Sequence, residues 1–428
     1  MIIKSITMQN FKKFEKLTVE FNSMMNVIVG SNGAGKSSIL EALAVGAGSF
    51  FLGIEGISSP GIKEADVRFV AQPVGSVIDR YPQYPVFISC TGVIDSQPIE
   101  WVRSLNTETS KTTVKEAAEL KRVAQEKYLS VRMGISDIVF PMISYYGTGR
   151  LWSQKKEKQD KTKRKLSNRF AGYVDSLSSS SNEKMMINWF KKMTYQRLQD
   201  GVELPELTAV ENAVAECFID SGISAESVKV RYSIKSEEIE IVYKDDNDDW
   251  QKHPFHELSD GFRNTLSLVA DIAYRMAVLN PQLLENVTKE TPGIVIIDEI
   301  DQHLHPQWQR VILKSLTKIF PKIQFIVSTH SPSVIASAQK KQLILLNEYG
   351  CSYPDYSFGK DSNSVLSEIM EVYPRPDEVQ VKLDAFNQLL DEENFDKAKD
   401  ILNELAEMLG DDNSDVVSAR IALDFETC

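Results

Sequence analysis

The pattern of apolar and polar positions divides the chain into a long α/β body and a short helical tail. Residues 1–29 alternate apolar and polar positions, turn at Asn22-Ser23, and end in the mostly apolar run Met25 to Val29. This pattern predicts strands, the last of them buried. The next regular segment begins at Lys36 and is predicted to be a helix, so the chain opens with a strand–loop–helix unit.

Apolar runs in the second half of the body predict a parallel sheet. They lie at Ile294 to Ile297, Ile323 to Val327 and Leu343 to Leu346, with a predicted helix between the first two. Strands that alternate with helices are typical of a parallel α/β sheet. Before them, the strand-like segments VKVRYSI and EIEIVY flank a turn at residues 236–238, and helices are predicted from Leu258 onward.

These elements suggest a division into a head, an insertion and a tail. The head is predicted to comprise residues 1–50 and 225–350. Residues 51–224 mix short β-like runs with a charged helical stretch and a serine-rich link, so we expect an inserted α+β and helical region. Residues 351–376 are expected to be a linker, because Pro374 and Pro376 lie at its end.

The tail, residues 377–428, is predicted to form two or three short amphipathic helices, with Gly410 as a helix C-cap. Its apolar stripes are too small to form a core alone, so we expect the tail to dock on the body or on a partner. It carries 15 acidic and 4 basic residues, a net charge of −11 out of −12 for the whole chain. The acidity therefore belongs to the tail, and the acidic average does not exclude nucleic acid as a partner.

Residues 155–165 are locally basic, with seven basic and two acidic side chains. They are either a solvated loop or a contact for nucleic-acid phosphate. The four cysteines lie far apart without a CxxC pair, which favours neither zinc nor disulfides. The N-terminus lacks the apolar core of a signal peptide, and no apolar run reaches membrane-helix length. We expect a bacterial cytoplasmic protein without a membrane association.

Residues 30–37 match the pattern G-x-x-x-x-G-K-[ST] between a predicted strand and a predicted helix, which is the setting of a phosphate-binding loop. Glycines let backbone N–H groups surround phosphate oxygens, and the helix N-terminus adds partial positive charge. Lys36 is predicted to reach the β- and γ-phosphates, and Ser37 to bind magnesium. The predicted ATP contacts of this loop are Asn32, Gly33, Ala34, Gly35, Lys36, Ser37 and Ser38.

The run Gly293 to Glu299 is an apolar strand ending in two acids, the form of a Walker B strand. Asp298 is predicted to hold the magnesium ion and Glu299 to polarise the attacking water. A buried strand capped by solvated acids is the other interpretation, and the upstream phosphate-binding loop favours catalysis.

Further segments resemble those of ATP-binding-cassette (ABC) ATPases. Leu258 to Arg263 resembles the family's LSGGQ signature, which implies that Ser259, Asp260, Gly261 and Arg263 contact the nucleotide held by an opposite subunit. Asp260 and Phe262 depart from the usual Gly and Gln. Ser328 to Pro332 resembles the switch-histidine segment, which implies a catalytic His330. The resemblance implies a P-loop ABC-ATPase head with a mixed β lobe and a parallel-sheet lobe, extended by a helical insertion and a C-terminal helical extension.

Other positions carry weaker signals. Asn10 to Phe14 resembles the NF(R/K)xF stretch of the SMC and RecF branch, which implies a nucleotide contact by Lys12 or Lys13. Gln72, after a strand-like run, is the candidate for a Q-loop residue that contacts nucleotide and magnesium. The pair His303 and His305 lies where a D-loop belongs, and we favour dimer communication over a metal site because no third ligand is evident.

Within that branch, residues 145–152, 258–281 and 297–310 resemble the PtuA-type ATPases of Septu anti-phage systems, including those attached to retrons. The resemblance implies an ATP-sandwich homodimer or higher oligomer, an HNH nuclease partner of the PtuB type and, as a further partner, a reverse transcriptase with its RNA–DNA. The acidic tail would attract a basic partner electrostatically, and recruitment of the nuclease by the tail is our hypothesis. The chain itself shows no nuclease signature. Arg150 is either an ATP-facing residue or a structural cation.

Three functions compete at this point. The first is a defence ATPase whose nucleotide state controls a bound nuclease, and the second is a RecF-like ATPase acting directly on DNA in repair. The third is a structural ATP-binding module without turnover.

Overall fold

The structure is a computed structural model, which describes residues 1–74, 77–151, 168–178, 183–222, 226–245, 247–347, 350–354, 356–370, 372 and 375–427. The predicted nucleic-acid contact at 155–165 lies outside these residues. The chain divides into two compact units, Met1–Lys360 and Asp361–Cys428. We describe each unit separately.

The first unit contains strands at the predicted apolar runs and further strands that the sequence pattern did not predict, namely β5, β7, β11 and β15. They are β1 (Ile2–Phe11), β2 (Phe14–Glu20), β3 (Met25–Val29), β4 (Phe69–Val74), β5 (Val77–Pro82), β6 (Val86–Ile94), β7 (Gln97–Leu105), β8 (Met142–Tyr146), β9 (Glu226–Ser233), β10 (Glu238–Lys244), β11 (Trp250–Pro254), β12 (Gly293–Ile297), β13 (Ile323–Ser328), β14 (Leu343–Asn347) and β15 (Gly350–Ser352).

Helices connect these strands and build the second unit. They are α1 (Lys36–Ala47), α2 (Ala118–Arg132), α3 (Glu183–Asp200), α4 (Pro205–Asp220), α5 (Asp260–Leu279), α6 (Val287–Glu290), α7 (Pro306–Gln309), α8 (Ile312–Ile319), α9 (Pro332–Ser337), α10 (Ser362–Ser364), α11 (Asp377–Asp391), α12 (Phe395–Leu409) and α13 (Ser414–Thr427). Within the described part of the chain, no helix has the length and apolar composition that crossing a bilayer requires.

An antiparallel sheet of order β2-β1-β6-β7 forms one layer of the first unit. Buried and half-buried positions alternate along β6, because successive side chains of a strand point to opposite faces. The helix α1 contacts β1, β6 and β7 of this sheet, and it also contacts β8, β12 and β13. α1 therefore lies between the antiparallel sheet and the strands that carry the Walker B acids.

The second layer is a sheet of order β15-β14-β3-β13-β12-β8, in which only the short β15 runs antiparallel among the described pairs. Every residue of β3, β12 and β13 is buried. Such continuous burial is typical of parallel strands covered on both faces. The predicted α/β class, with a β lobe and a parallel-sheet lobe, is confirmed.

Residues 51–224, which the sequence suggests as an insertion, supply strands to both layers. β6 and β7 complete the antiparallel sheet, and β8 pairs with β12 at the edge of the parallel sheet. The remaining strands of the first unit form a β4–β5 ribbon and an antiparallel β11-β10-β9 sheet. The head thus includes strands from this region, and β8 is the one that borders the strand of the Walker B acids.

A buried glutamine joins the two layers. Gln324 on β13 has no solvent exposure. Its Oε1 accepts from the Ile3 N–H at 2.9 Å, and its Nε2 donates to the carbonyls of Ile3 and Asn22 at 2.7 and 2.8 Å. The side chain satisfies three backbone groups that lie away from water, so it fixes the start of β1 against the parallel sheet.

The second unit has a hydrophobic core of its own. Buried side chains of α11, α12 and α13 pack together, with Phe386, Leu405 and Val416 among them. The expectation that these helices lack a core is wrong, because three helices bury apolar stripes against each other where each stripe alone is small. Arg375 forms a paired contact with the Asp415 carboxylate, and Gly410 ends α12 with a φ of 89° at the predicted C-cap.

Replacing Gln324 by Leu should lower the free energy of unfolding of the chain by about 3 kcal/mol, because buried backbone groups lose their partners. Equilibrium denaturation in urea measures the change. Gln97→Leu, at an exposed position of β7, is the matched control and should shift stability by less than about 0.5 kcal/mol. Equal stability of Gln324→Leu and the control would contradict the role assigned to Gln324.

Candidate nucleotide site

The predicted nucleotide-contacting residues gather at one edge of the parallel sheet. The strands β3, β12 and β13 end at the P-loop, at Asp298 and at Ser328. β8 ends alongside them, since Tyr146 pairs in register with Ile297. In parallel sheets the carboxyl ends of strands share one edge, and ligands bind outside that edge.

The P-loop needs glycine at three of its positions. Gly33 and Gly35 have φ angles of 80° and 103°, in the left-handed region that favours glycine. At Gly30, a Cβ would lie 2.5 Å from the Leu346 carbonyl oxygen of β14, and at Gly35 it would lie 2.5 Å from the Phe14 ring. The loop is therefore packed closely on both sides, which leaves its backbone as the surface available to a ligand.

Lys36 begins α1 directly behind this loop. Its side chain is buried, and its Nζ donates to the carbonyls of Gly30 and Ser31 at 2.8 and 3.1 Å. Burial lowers the pKa of Lys36, while Asp298, Glu299 and Asp301 oppose that shift. No side chain caps the N-terminus of α1, and Ser37 is exposed there. An ammonium group and uncapped helix N–H groups together suit an anion such as a nucleotide phosphate.

The other predicted phosphate contacts differ in exposure. Asn32 and Gly33 are exposed, Gly35 and Ser38 are half-buried, and Ala34 is buried.

Asp298 and Glu299 are held by Ser328 at the end of the neighbouring strand. The Ser328 hydroxyl donates to Asp298 Oδ1 at 2.5 Å and accepts from the Glu299 N–H at 2.8 Å. Asp298 is 4% exposed, which places a carboxylate at the buried end of β12. Glu299 has a φ of 48°, so the backbone turns sharply between the two acids. The two carboxylates consequently leave the strand in different directions.

His330 follows β13, and Asp301 holds this segment. The Thr329 hydroxyl donates to Asp301 Oδ1 at 2.5 Å, and the His330 N–H points to the same oxygen at 3.4 Å. Burial lowers the pKa of the half-buried His330 below its ordinary value of 6.5, and the nearby charge of Lys36 lowers it further. The three acids Asp301, Glu299 and Asp298 act in the opposite direction. His330 is therefore neutral near pH 7 in this state.

Lys12 and Lys13 occupy different surroundings. Lys13 Nζ donates to the Gly33 carbonyl at 2.9 Å, which places it on the P-loop. Lys12 has a φ of 51° and forms an ion pair with Glu41 of α1. It also lies beside a cavity of about 920 Å³ that extends along α1. The cavity borders include Tyr145, Tyr173 and Ser176, whose buried hydroxyl has no hydrogen-bond partner among the described residues.

The signature-like segment begins α5. Ser259 is the N-cap residue, its side chain makes no capping bond, and both Ser259 and Asp260 are exposed. Gly261 lies against the D-loop, where a Cβ would be 2.2 Å from the His303 carbonyl oxygen. Arg263 is half-buried.

Phe262, one of the two residues that depart from the ABC signature, has a structural role. Its ring centroid lies 4.4 Å from that of Trp308. The phenyl ring therefore packs the start of α5 onto the D-loop region, where a glutamine would not fill the same apolar site.

The D-loop histidines also have structural positions. His303 is exposed with a φ of 64°, and His305 accepts the Gln307 N–H at 3.3 Å as the N-cap of α7.

Gln72 lies in the exposed β4–β5 ribbon rather than in the parallel sheet. The strand end that borders Asp298 is instead that of β8, at Tyr146, directly before Gly147 to Gly149. The Asp298 N–H donates to the Tyr146 carbonyl at 2.8 Å, which joins the two strand ends. An apolar run followed at once by glycines, as in MISYYGTG, is the signal that identifies this segment, because the P-loop strand has the same form. The side chain of Arg150 lies outside the described residues.

Comparison with protein families finds one described as AAA domain, which matches residues 5–218. The retron Ec83 probable ATPase of Escherichia coli is 26% identical, over 99% of this chain and 86% of the relative. The Septu protein PtuA of Bacillus thuringiensis is 25% identical, over 96% and 95% of the two chains. Among solved structures, an SMC head bound to the C-winged helix domain of ScpA is 18% identical, with a TM-score of 0.49 over 83% of this chain and 98% of that one.

The charges around His330 predict how its pKa responds to substitution. In the nucleotide-free protein, Lys36→Met should raise the pKa of His330, because a repelling cation is removed. Glu299→Gln should lower it, because an attracting anion is removed. NMR titration of the five histidines measures both shifts, with His330→Gln providing the assignment.

Lys13→Met is the control, since Lys13 contacts the P-loop at Gly33 and is not among the groups that shift the pKa of His330. A pKa of His330 at or above 6.5, or one that does not respond to Lys36→Met, would contradict this electrostatic description.

Proposed function

The chain belongs to the family described as AAA domain, and on that premise we propose that it binds and hydrolyses ATP as the regulatory subunit of a bacterial anti-phage defence complex. One observation carries the proposal. The P-loop, the acids Asp298 and Glu299, and His330 meet at one sheet edge, while the signature residues Ser259 and Asp260 are exposed. The similarity to retron and Septu proteins supports the defence context.

The donor set fits ATP with magnesium. Lys36 and the uncapped N-terminus of α1 present positive charge to the phosphates, and the Ser37 hydroxyl and the Asp298 carboxylate are the oxygen ligands that Mg²⁺ prefers. When bound, the ion neutralises charge that develops on the phosphates. On ATP binding, the Lys36 ammonium exchanges the carbonyls of Gly30 and Ser31 for phosphate oxygens. Because these two bonds already hold the ammonium at the loop, the loop is shaped for its ligand before the ligand binds.

Two side chains act on the reacting groups, Glu299 on the attacking water and His330 on the γ-phosphate region. Glu299 accepts its proton, and the left-handed backbone together with the Ser328 bond to its N–H sets where the carboxylate points. His330 can donate a hydrogen bond to the γ-phosphate region, and burial together with the Lys36 charge, which lower its pKa, favours the neutral imidazole for that role. The cavity beside Lys12 is proposed to receive the nucleoside end of ATP.

The site is proposed to be completed by a second copy of the chain. Ser259 and Asp260 are exposed at a helix start without a side-chain cap, which leaves N–H groups available to an anion. The close contact of Gly261 with the His303 carbonyl ties this surface to the D-loop. A head-to-head dimer brings each signature onto the nucleotide held by the other copy. ATP binding and assembly are then one equilibrium.

The second unit is proposed to recruit an HNH nuclease of the PtuB type. α13 exposes an apolar stripe of Val417, Ile421 and Phe425, which are 39%, 64% and 83% exposed. These residues are spaced four apart and share one helix face. The surrounding tail carries a net charge of −11, so a basic partner with an apolar helix or groove complements it. The similarity to a retron ATPase suggests a reverse transcriptase and its RNA–DNA as further partners.

Glu299→Gln should lower ATP turnover by about 100-fold or more and trap ATP-bound dimers, because the water loses its base while the phosphate contacts remain. Phosphate release and light scattering coupled to size-exclusion chromatography measure the two effects. In the same background, Lys36→Ala and Ser259→Arg should each abolish the dimer. Mixing these two chains should restore it, since one composite site is then intact.

Failure of the mixed chains to assemble would contradict the sandwich dimer. Unchanged turnover of Glu299→Gln would show that Glu299 is not the base. ATP hydrolysis by the isolated chain that DNA stimulates would favour the RecF-like repair function instead.

Replacing Ile421 and Phe425 together by Asp should abolish co-purification of a co-expressed PtuB-type HNH nuclease, because two apolar contacts are lost and acidic charge is added. ATP turnover should stay unchanged. Val381→Asp is the control, since Val381 is 65% exposed on α11 of the same unit. Retention of the nuclease by the double variant, or equal loss in the control, would contradict docking on α13.

A further inference from the structure

A buried polar network links the end of β8 to the middle of α5. The Tyr146 hydroxyl donates to Asp271 Oδ2 at 2.8 Å, and Arg275 Nε donates to the same oxygen at 2.7 Å. The side chains of Asp271 and Arg275 are 15% and 5% exposed. One carboxylate oxygen therefore joins a strand of the parallel sheet to the helix that begins at the signature.

The same arginine also holds the segment between β8 and α3. Arg275 Nη1 donates to the carbonyls of Gly172 and Val174, both at 2.9 Å. The Ser176 carbonyl in turn accepts the Tyr145 N–H at 2.8 Å. The network thus closes on itself: α5 binds this segment, the segment binds β8, and β8 binds α5.

Each end of the network borders a part of the candidate nucleotide site. At one end, the Tyr146 carbonyl accepts the Asp298 N–H at 2.8 Å. At the other end, Asp271 is on the helix that starts at Asp260, about 16 Å away at the rise of an α-helix. α5 is one continuous helix over that distance. A shift of the Asp298 strand end therefore reaches Ser259 through a rigid element.

Burial and charge favour movement of the side chains of Tyr146, Asp271 and Arg275 together. Burial and the neighbouring Asp271 raise the pKa of Tyr146 well above its ordinary value, so its hydroxyl keeps the proton that it donates. Burial opposes the charge of Arg275, but Asp271, Tyr146 and Tyr274 together more than offset this and raise the arginine's pKa. Separating the buried groups would leave charges without partners, which is costly away from water.

We propose that Tyr146, Asp271 and Arg275 are positioning residues that couple nucleotide occupancy at Asp298 to the orientation of Ser259 in the signature. This inference rests on the proposed ATP-sandwich dimer and adds how the two halves of one chain communicate. ATP bound at the chain's own P-loop sets, through this network, whether its signature is presented to the second copy. The alternative interpretation is that the network only stabilises the fold.

The test compares Tyr146→Phe and Asp271→Asn with a control in another buried ion pair. Glu211→Gln is that control, because Arg197 Nη1 contacts Glu211 Oε2 at 3.1 Å and the two side chains are 23% and 12% exposed. All variants are made in the Glu299→Gln background, as full-length protein, and Ser259→Arg is added for the monomer measurements because it is expected to abolish the dimer. The measurements are ATP affinity of the monomer, ATP-driven dimerisation, thermal stability, and hydrogen exchange of the 260–268 amides with and without ATP.

The network variants should bind ATP within about three-fold of the parent but dimerise about ten-fold more weakly, a usual size for a coupling between sites. ATP should protect the 260–268 amides of the parent monomer and should not protect those of Tyr146→Phe. Glu211→Gln should lose thermal stability while keeping dimerisation and protection. The double variant Tyr146→Phe/Asp271→Asn should be no weaker than Asp271→Asn alone, since both act through one oxygen.

Network variants that dimerise and protect α5 like the parent, whatever their thermal stability, would overturn the proposal. Loss of dimerisation in Glu211→Gln to the same extent would also overturn it. If the parent itself does not dimerise with ATP, the sandwich dimer fails. The hydrogen-exchange comparison in monomers then still decides whether the network couples the two ends.

Discussion

The hydroxyl of Ser328 lies between the two acids of the candidate site, and much of the site's geometry depends on this contact. It donates to the Asp298 carboxylate and accepts from the Glu299 N–H, so one side chain orients the carboxylate proposed to bind magnesium and the backbone of the proposed base. The contact exists because β12 and β13 are parallel neighbours in register, with Ile297 opposite Val327. A shift of one residue would move every side chain to the opposite face and separate the three groups.

Hydrogen bonds of buried polar groups fix much of the arrangement of strands and helices around that contact. Gln324 satisfies backbone groups of β1 from within the parallel sheet, and Asp271 joins β8 to α5. In each case the partner is distant in sequence and the bond is shielded from water, which makes a broken bond costly. Such bonds specify one arrangement of the layers. They also allow a change at the nucleotide edge to reach a distant helix without loosening the core.

Charge is distributed unevenly between the two units. The first unit is close to neutral overall, and its described site places Lys36 among three acids and a neutral His330. The second unit is acidic, yet it has an apolar core and an exposed apolar stripe on α13. Attraction at long range and apolar contact at short range are separate properties of one surface, and together they suit recognition of a basic protein. The candidate nucleotide site and the proposed docking surface are therefore built on different chemistry.

The sequence by itself determined the elements that local pattern controls. The P-loop, the Walker B strand and the signature are each contiguous, and apolar runs identify the strands β3, β12 and β13 because buried parallel strands need unbroken apolar residues. The tail helices and the Gly410 cap are likewise local. Only the tertiary structure decided which strand borders Asp298. It is β8, from a region that looks like an insertion, because strand order depends on packing between segments far apart in the chain.

The same reason explains the Ser328 contact, the packing of Phe262 on Trp308, and the separation of Gln72 from the parallel sheet. It also explains the core of the tail, where apolar stripes that are small on each helix become sufficient once three helices meet. Pairwise contacts between distant positions are set by the geometry of the folded chain, and a single sequence records the residue types without recording their neighbours.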